Sequence, residues 1–170
     1  MASNWDDLNA RGISAIVMVI VGAFDVYMGG IWFHFLVMFA TGVMIWELWS
    51  MIAPSRTTGA MLMAVATVAI LSVQIEEQNE ILPFLFLIIP AIGAVLLKKL
   101  RIAFFFYALA IIVAGFALVM FRDQFGALWI VWLLLVVIAS DVLGYFAGRT
   151  FGGPKFWPAI SPKKTWSGTV

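Results

Sequence analysis

The chain has 170 residues, 64% apolar and only 11% charged, with a net charge of +1 and a mean hydropathy of +1.07. Soluble domains hold about 45–50% apolar and about 25% charged residues, so a soluble globular fold is excluded. With no cysteine, a disulfide framework, a thiolate metal site and a cysteine nucleophile are excluded as well.

The first twelve residues carry Asp6 and Asp7 where a secretory signal would be basic, and no small-residue cleavage site follows. The first apolar run is therefore expected to persist as a helix. Charged or Gly/Pro clusters then punctuate the sequence into predicted helices 12–29, 31–53, 59–75, 81–97, 102–121 and 125–148. Six spans of about 20 residues each would take up most of the length. The expected fold is all-α: a polytopic membrane protein with about six transmembrane helices over 1–148, then a basic cytoplasmic loop over 149–170. Pro154, Pro158 and Pro162 recur every four residues there and deny it a continuous helix. The sequence has no repeat of solenoid length, no low-complexity tract and no second soluble domain.

Charge sets the expected orientation. With the N-terminus and 149–170 on one side, that side gathers Arg11, Arg56, Lys98, Lys99, Arg101, Arg149, Lys155, Lys163 and Lys164, and the other has Arg122 with Glu76, Glu77, Glu80 and Asp123. The basic side is expected to be cytoplasmic. Only an even number of spans sorts the charges in this way.

Ionisable groups inside spans are costly and each needs a reason. Asp25 and His34 flank the Met28-Gly29-Gly30 turn between the first two helices, where they are expected either to pair or to reach interfacial water. One histidine with one carboxylate is a weak metal signal, because a site normally needs three or four ligands. Glu47 and Asp141 each fall 6–8 residues from the expected cytoplasmic end of a helix. Two carboxylates at matching depth suit Mg²⁺ or a cationic group; the plain alternative is a carboxylate hydrogen-bonded to Trp46, Tyr145 or a neighbouring helix. Ser140, Gly144 and Gly148 form a small-xxx-small ladder expected to pack another helix. One residue round, Asp141 and Tyr145 share a face that leads to Arg149.

From Arg149 onward the charge is +4 with no acid. Orientation or attraction to anionic lipid would account for the charge alone. The density of Gly148, Gly152, Gly153, three prolines and Ser161-Pro162-Lys163-Lys164-Thr165-Trp166-Ser167-Gly168 suggests in addition a shaped phosphate-binding loop. Neither a P-loop nor a dinucleotide fingerprint is present, a serine–histidine–acid triad is not persuasive, and nothing points to nucleic acid.

The segment Asp141-Val-Leu-Gly-Tyr145-Phe-Ala-Gly148-Arg149-Thr-Phe-Gly152, followed by Ser161-Pro162-Lys163-Lys164-Thr165-Trp166-Ser167-Gly168, resembles the phosphatidate cytidylyltransferase (CDP-diacylglycerol synthase) family. Its pattern is D-x-x-A-Y-x-x-G-R-x-x-G and then S-P-K-K-T-x-E-G, with a glutamate near the end of the second span where Glu47 stands. Two positions depart from it: Gly144 replaces the usual alanine and Ser167 the usual glutamate. The resemblance implies transfer of a cytidylyl group from CTP to phosphatidate, with release of pyrophosphate, at the cytoplasmic face of a bacterial-type inner membrane. It implies Asp141, Lys163 and Lys164 as catalytic residues, and Arg149, Ser161, Thr165, Tyr145 and Lys155 as substrate contacts. Asp141, with Glu47, would ligate Mg²⁺. Family members continue beyond this segment through more helices to a further acidic motif that completes their metal centre. The chain is accordingly expected to be the N-terminal portion of such an enzyme, inactive alone, with a C-terminal half on another chain or a homodimer as partner. Rival readings are a CTP-dependent polyprenol or phytol-type lipid kinase and a non-catalytic scaffold that binds anionic lipid.

Overall fold

The computed structural model describes residues 4–77, 82–157 and 161–168, with side chains placed over 12–76, 84–156 and 165–168. The six predicted helical segments all form: α1 (Asn4–Met28), α2 (Gly30–Ile52), α3 (Thr57–Glu77), a 3₁₀ turn (Leu82–Leu87) running into α4 (Ile88–Leu96), α5 (Arg101–Phe125) and α6 (Ala127–Phe151). Two short strands follow, β1 (Lys155–Trp157) and β2 (Ser161–Thr165), then a 3₁₀ turn over Trp166–Gly168. Among the described residues four helices are long and apolar enough to cross a membrane, and 12–28 and 84–96 are shorter apolar helical stretches. The protein is an all-α multi-pass membrane protein with one small hairpin.

The chain divides into two compact units, 1–127 and 128–170. In the first, α2 buries Phe33, Val37, Thr41, Ile45 and Trp49, every fourth residue, so that one stripe of the helix faces inward. α5 answers with Phe104, Ala108, Ile112, Gly115 and Val119. Trp49 and Phe104 meet edge to face at 5.7 Å, an arrangement worth about 0.5–1.5 kcal/mol beyond the burial itself. Small residues let the helices approach closely: a Cβ on Gly93 would lie 1.9 Å from the Phe104 ring, and one on Gly115 would lie 2.3 Å from Thr41 Oγ1. Thr41 and Thr67, both buried, return their hydroxyls to the carbonyls of Val37 and Met63 in the preceding turn. Neither hydroxyl is thereby left bare in the apolar interior, whereas Trp49 Nε1 and Gln74 Oε1 are buried there without a hydrogen-bond partner among the described residues.

The fourth segment is short for a reason visible in its prolines. Pro90 has no N–H to give to the Phe86 carbonyl, so α-helical bonding cannot run unbroken from Leu82. The chain winds as a 3₁₀ turn and changes to α at Ile88, which leaves Pro90 in the first turn, where an N–H has no intrahelical partner anyway. At about 2.0 and 1.5 Å rise per residue, the two pieces reach at most about 25 Å.

At the other end of α2 the expected meeting of Asp25 with His34 does not occur. His34 Nε2 lies 2.7 Å from Asp123 Oδ2, because α5 ends beside the α1–α2 turn. Arg122, next to Asp123, sends Nε and Nη2 to the Val26 carbonyl at 3.3 and 3.2 Å. It thus closes the last turn of α1, where carbonyls lack helical partners. Gly29, at φ +62°, makes the room, since a Cβ there would lie 2.0 Å from the guanidinium. Asp25 is buried at this turn, its carbonyl accepting the Gly29 N–H.

Candidate functional site

The second unit is α6 with the hairpin that follows it. α6 runs three residues past Gly148, to Phe151, so that Asp141 stands ten residues before the end of its helix, while Glu47 stands five before the end of α2. Both side chains are exposed. Arg149 lies in the last turn of α6, where a cation complements the negative end of the helix dipole. Its Nη1 donates to Tyr145 Oη at 3.0 Å. Tyr145 is therefore engaged one turn onward, and among the described residues no side chain bonds the Asp141 carboxylate.

Beyond Phe151 the chain turns back. Gly152 and Gly153 adopt φ of +61° and +106°, left-handed conformations that glycine alone reaches without strain. The predicted irregular loop is instead an antiparallel hairpin, with Lys155 opposite Thr165 and Trp157 opposite Ser161. Pro162 is tolerated because a two-stranded sheet has only edges. The Trp166 N–H then reaches the Pro154 carbonyl at 3.1 Å, and Phe156 packs edge-on against Trp166 with ring centroids 4.6 Å apart. Trp166 thus holds the hairpin together.

The glycine ladder has a different partner from the one expected. Gly144 and Gly148 receive the end of the hairpin: a Cβ on Gly144 would lie 2.7 Å from the Gly168 carbonyl oxygen, and one on Gly148 would lie 2.8 Å from Thr165 Oγ1. From the other side, a Cβ on Gly168 would lie 2.6 Å from the Gly144 oxygen and 3.2 Å from Gly148 Cα. Three glycines set backbone against backbone. Ser167 fastens this contact, donating to the Gly152 carbonyl, while its oxygen lies 3.1 Å from Thr165 Oγ1. Sequence reasoning registered Ser167 only as a departure from a pattern and missed this bond. The spacing of Gly144 and Gly148 carried the one available signal, that something must approach α6 closely there.

The structure therefore brings Tyr145 and Arg149 together on α6 and sets Thr165 against Gly148. Lys155 is exposed on β1. Ser161, Lys163 and Lys164 lie on β2, and their side chains, with that of Trp157, fall outside the described residues. Among the described residues no three His, Asp or Glu side chains cluster to hold a metal ion. Glu47 belongs to the first unit and Asp141 to the second.

Fold and hairpin together define a multi-pass membrane protein in which α6 carries a basic, glycine-fastened turn. The chain belongs to the cytidylyltransferase family, whose model matches residues 9–170. It is similar to the phosphatidate cytidylyltransferases of Brucella abortus (strain 2308) and Brucella suis biovar 1, at 28% identity over 170 residues, which cover 96% of this chain and 63% of each relative. A 58-residue stretch, 34% of this chain and 21% of the relative, is 47% identical to the phosphatidate cytidylyltransferase of Helicobacter pylori (strain ATCC 700392 / 26695). The chain thus spans 63% of the length of the Brucella relatives. No solved structure matches it significantly.

Proposed function

We propose that the protein of which this chain is part transfers a cytidylyl group from CTP to phosphatidate, giving CDP-diacylglycerol and pyrophosphate. A phosphate oxygen of phosphatidate attacks the α-phosphorus of CTP and forms the new P–O bond. The bond from the α-phosphorus to the bridging oxygen breaks, and its electron pair leaves with pyrophosphate. The observation that carries this reading is the hairpin fastened by glycines to α6 beside Arg149, in a chain of the cytidylyltransferase family. Two anions must be brought together, so fixed cations have to offset their repulsion. Arg149, Lys163 and Lys164 serve this role, with Lys163 and Lys164 carried on a strand rather than on a loose tail. Ser161 and Thr165 offer hydroxyl donors to phosphate, Tyr145 orients Arg149, and Lys155 contacts the lipid headgroup.

Asp141 suits Mg²⁺, since this ion is commonly bound by one or two carboxylates together with substrate phosphates and water, and the Asp141 carboxylate is exposed. Glu47 is the second candidate ligand. Bound there, Mg²⁺ would neutralise charge developing on the pyrophosphate. The sorting of basic residues supports an orientation with the N-terminus and hairpin in the cytoplasm of a bacterial-type inner membrane. Residues 149–170 then form the start of the nucleotide site, with a C-terminal half on another chain or a second copy as partner.

Binding of labelled CTP to the chain in detergent, with and without Mg²⁺, tests the reading. Mg²⁺-dependent binding that ATP displaces poorly is the expected result. Equal binding of the two nucleotides, or none, would favour a lipid-binding scaffold.

A further inference from the structure

A second candidate site lies in the first unit, where α4 meets α5. A groove of about 510 Å³ opens between them, lined by Ala94, Val95, Ile102, Phe105 and Phe106, with Arg101 at its edge. Its volume falls within the range of about 300–1,000 Å³ found for small-molecule pockets. Lys98 and Lys99, separated from Arg101 by Leu100, are exposed on the connection between the two helices. Among the described residues none of the three cations forms an ion pair. Arg56, the other cation of this region, is already engaged: its Nη1 donates to the Leu96 carbonyl at 3.1 Å and closes the end of α4.

We propose that this groove holds one anionic phospholipid, an acyl chain lying along Ala94, Ile102 and Phe106 and the phosphate held by Arg101, Lys98 and Lys99. The argument is charge and polarity complementarity. A groove lined by apolar side chains apart from Arg101 takes hydrocarbon, and Arg101 with the neighbouring Lys98 and Lys99 takes a phosphate. Retention of Lys and Arg on the cytoplasmic side would account for the charges but gives no reason for an apolar groove ending on one of them. Arg101 also opens α5, whose first residue is preceded by Leu100 with no side-chain cap. A cation at the positive end of a helix is unfavourable unless an anion accompanies it. The proposal concerns residues of the first unit alone and stands apart from the reading of the hairpin.

Native mass spectrometry of the chain in detergent, titrated with dioleoyl phosphatidylglycerol or dioleoyl phosphatidylcholine, provides the test. Phosphatidylglycerol should be retained more strongly. Each basic residue near a headgroup strengthens binding about fivefold, so Arg101→Gln should weaken retention by about that factor and the triple Lys98→Gln/Lys99→Gln/Arg101→Gln variant by roughly 100-fold. Arg11→Gln, which removes the same formal charge from α1, should leave retention unchanged. Ala94→Trp, which fills the groove and keeps every charge, should weaken it. Equal retention of the two lipids, equal effects of Arg101→Gln and Arg11→Gln, or an unaffected Ala94→Trp variant would each overturn the proposal. So would displacement of the lipid by glycerol 3-phosphate alone, which would mark a site for free phosphate. Lys98, Lys99 and Arg101 are exposed, and an unchanged unfolding temperature would show that the variants are folded.

Discussion

Replacing Gly144 by alanine introduces the residue that the family pattern usually has at this position, and the structure predicts that it loosens the hairpin. A Cβ at Gly144 would stand 2.7 Å from the Gly168 carbonyl oxygen. That oxygen is backbone, held in a 3₁₀ turn that Ser167 ties to Gly152, so relief requires the whole turn to lift from α6. Overpacking of this kind costs about 1–3 kcal/mol, which shifts the balance between seated and lifted turn by about 5–150-fold. The Trp166 N–H, bonded to Pro154 at 3.1 Å, reports on it directly. Amide hydrogen exchange at Trp166 should accelerate by that factor in Gly144→Ala, while amides in the middle of α2 remain unaffected. Unchanged protection at Trp166 would refute the claim that the glycines seat the hairpin on α6.

Ser167→Ala removes the donor to the Gly152 carbonyl and should destabilise the same turn by about 1 kcal/mol, seen as faster exchange at Trp166 with no change in helical content. Gly168→Ala should act more strongly than Gly148→Ala, because its Cβ meets α6 backbone at three points whereas that of Gly148 comes closest to the Thr165 hydroxyl, the end of a side chain. Limited proteolysis across 155–168 would rank the two. Arg122→Ala takes away both bonds to the Val26 carbonyl. Losing a charged hydrogen bond of about 1.5–3 kcal/mol should lower the unfolding temperature in detergent by about 3–12 °C. Lys at the same position should restore only part of it, since its single ammonium lacks the forked donors of the guanidinium.

The helices were legible because apolar runs of membrane length, broken by charge, glycine and proline, leave the backbone no other way to satisfy its hydrogen bonds. What the hydropathy did not contain was which neighbour each helix end would meet. His34 pairs with Asp123, 89 residues away, and no local spacing distinguishes that partner from Asp25. Likewise, the Gly144–Gly148 ladder announced a close approach without naming the approaching group, and a transmembrane helix was the ordinary expectation. The three prolines correctly denied 149–170 a helix. The hairpin came from the two left-handed glycines that turn the chain after Phe151. Motif residues Asp141, Tyr145 and Arg149 could be located from the sequence because i, i+4 spacing fixes a helix face. The Tyr145–Arg149 bond uses that spacing, where the sequence had offered Tyr145 as one alternative partner of a carboxylate.

The most direct test of the proposed activity is Mg²⁺-dependent formation of CDP-diacylglycerol from CTP and phosphatidate in detergent, by this chain alone and mixed with the C-terminal portion of a Brucella relative. The account predicts product from the mixture, none from the chain alone, and loss of product when the mixture carries Asp141→Asn or Lys164→Ala. Product that survives both substitutions, or a mixture that yields none while the intact relative is active in parallel, would contradict it.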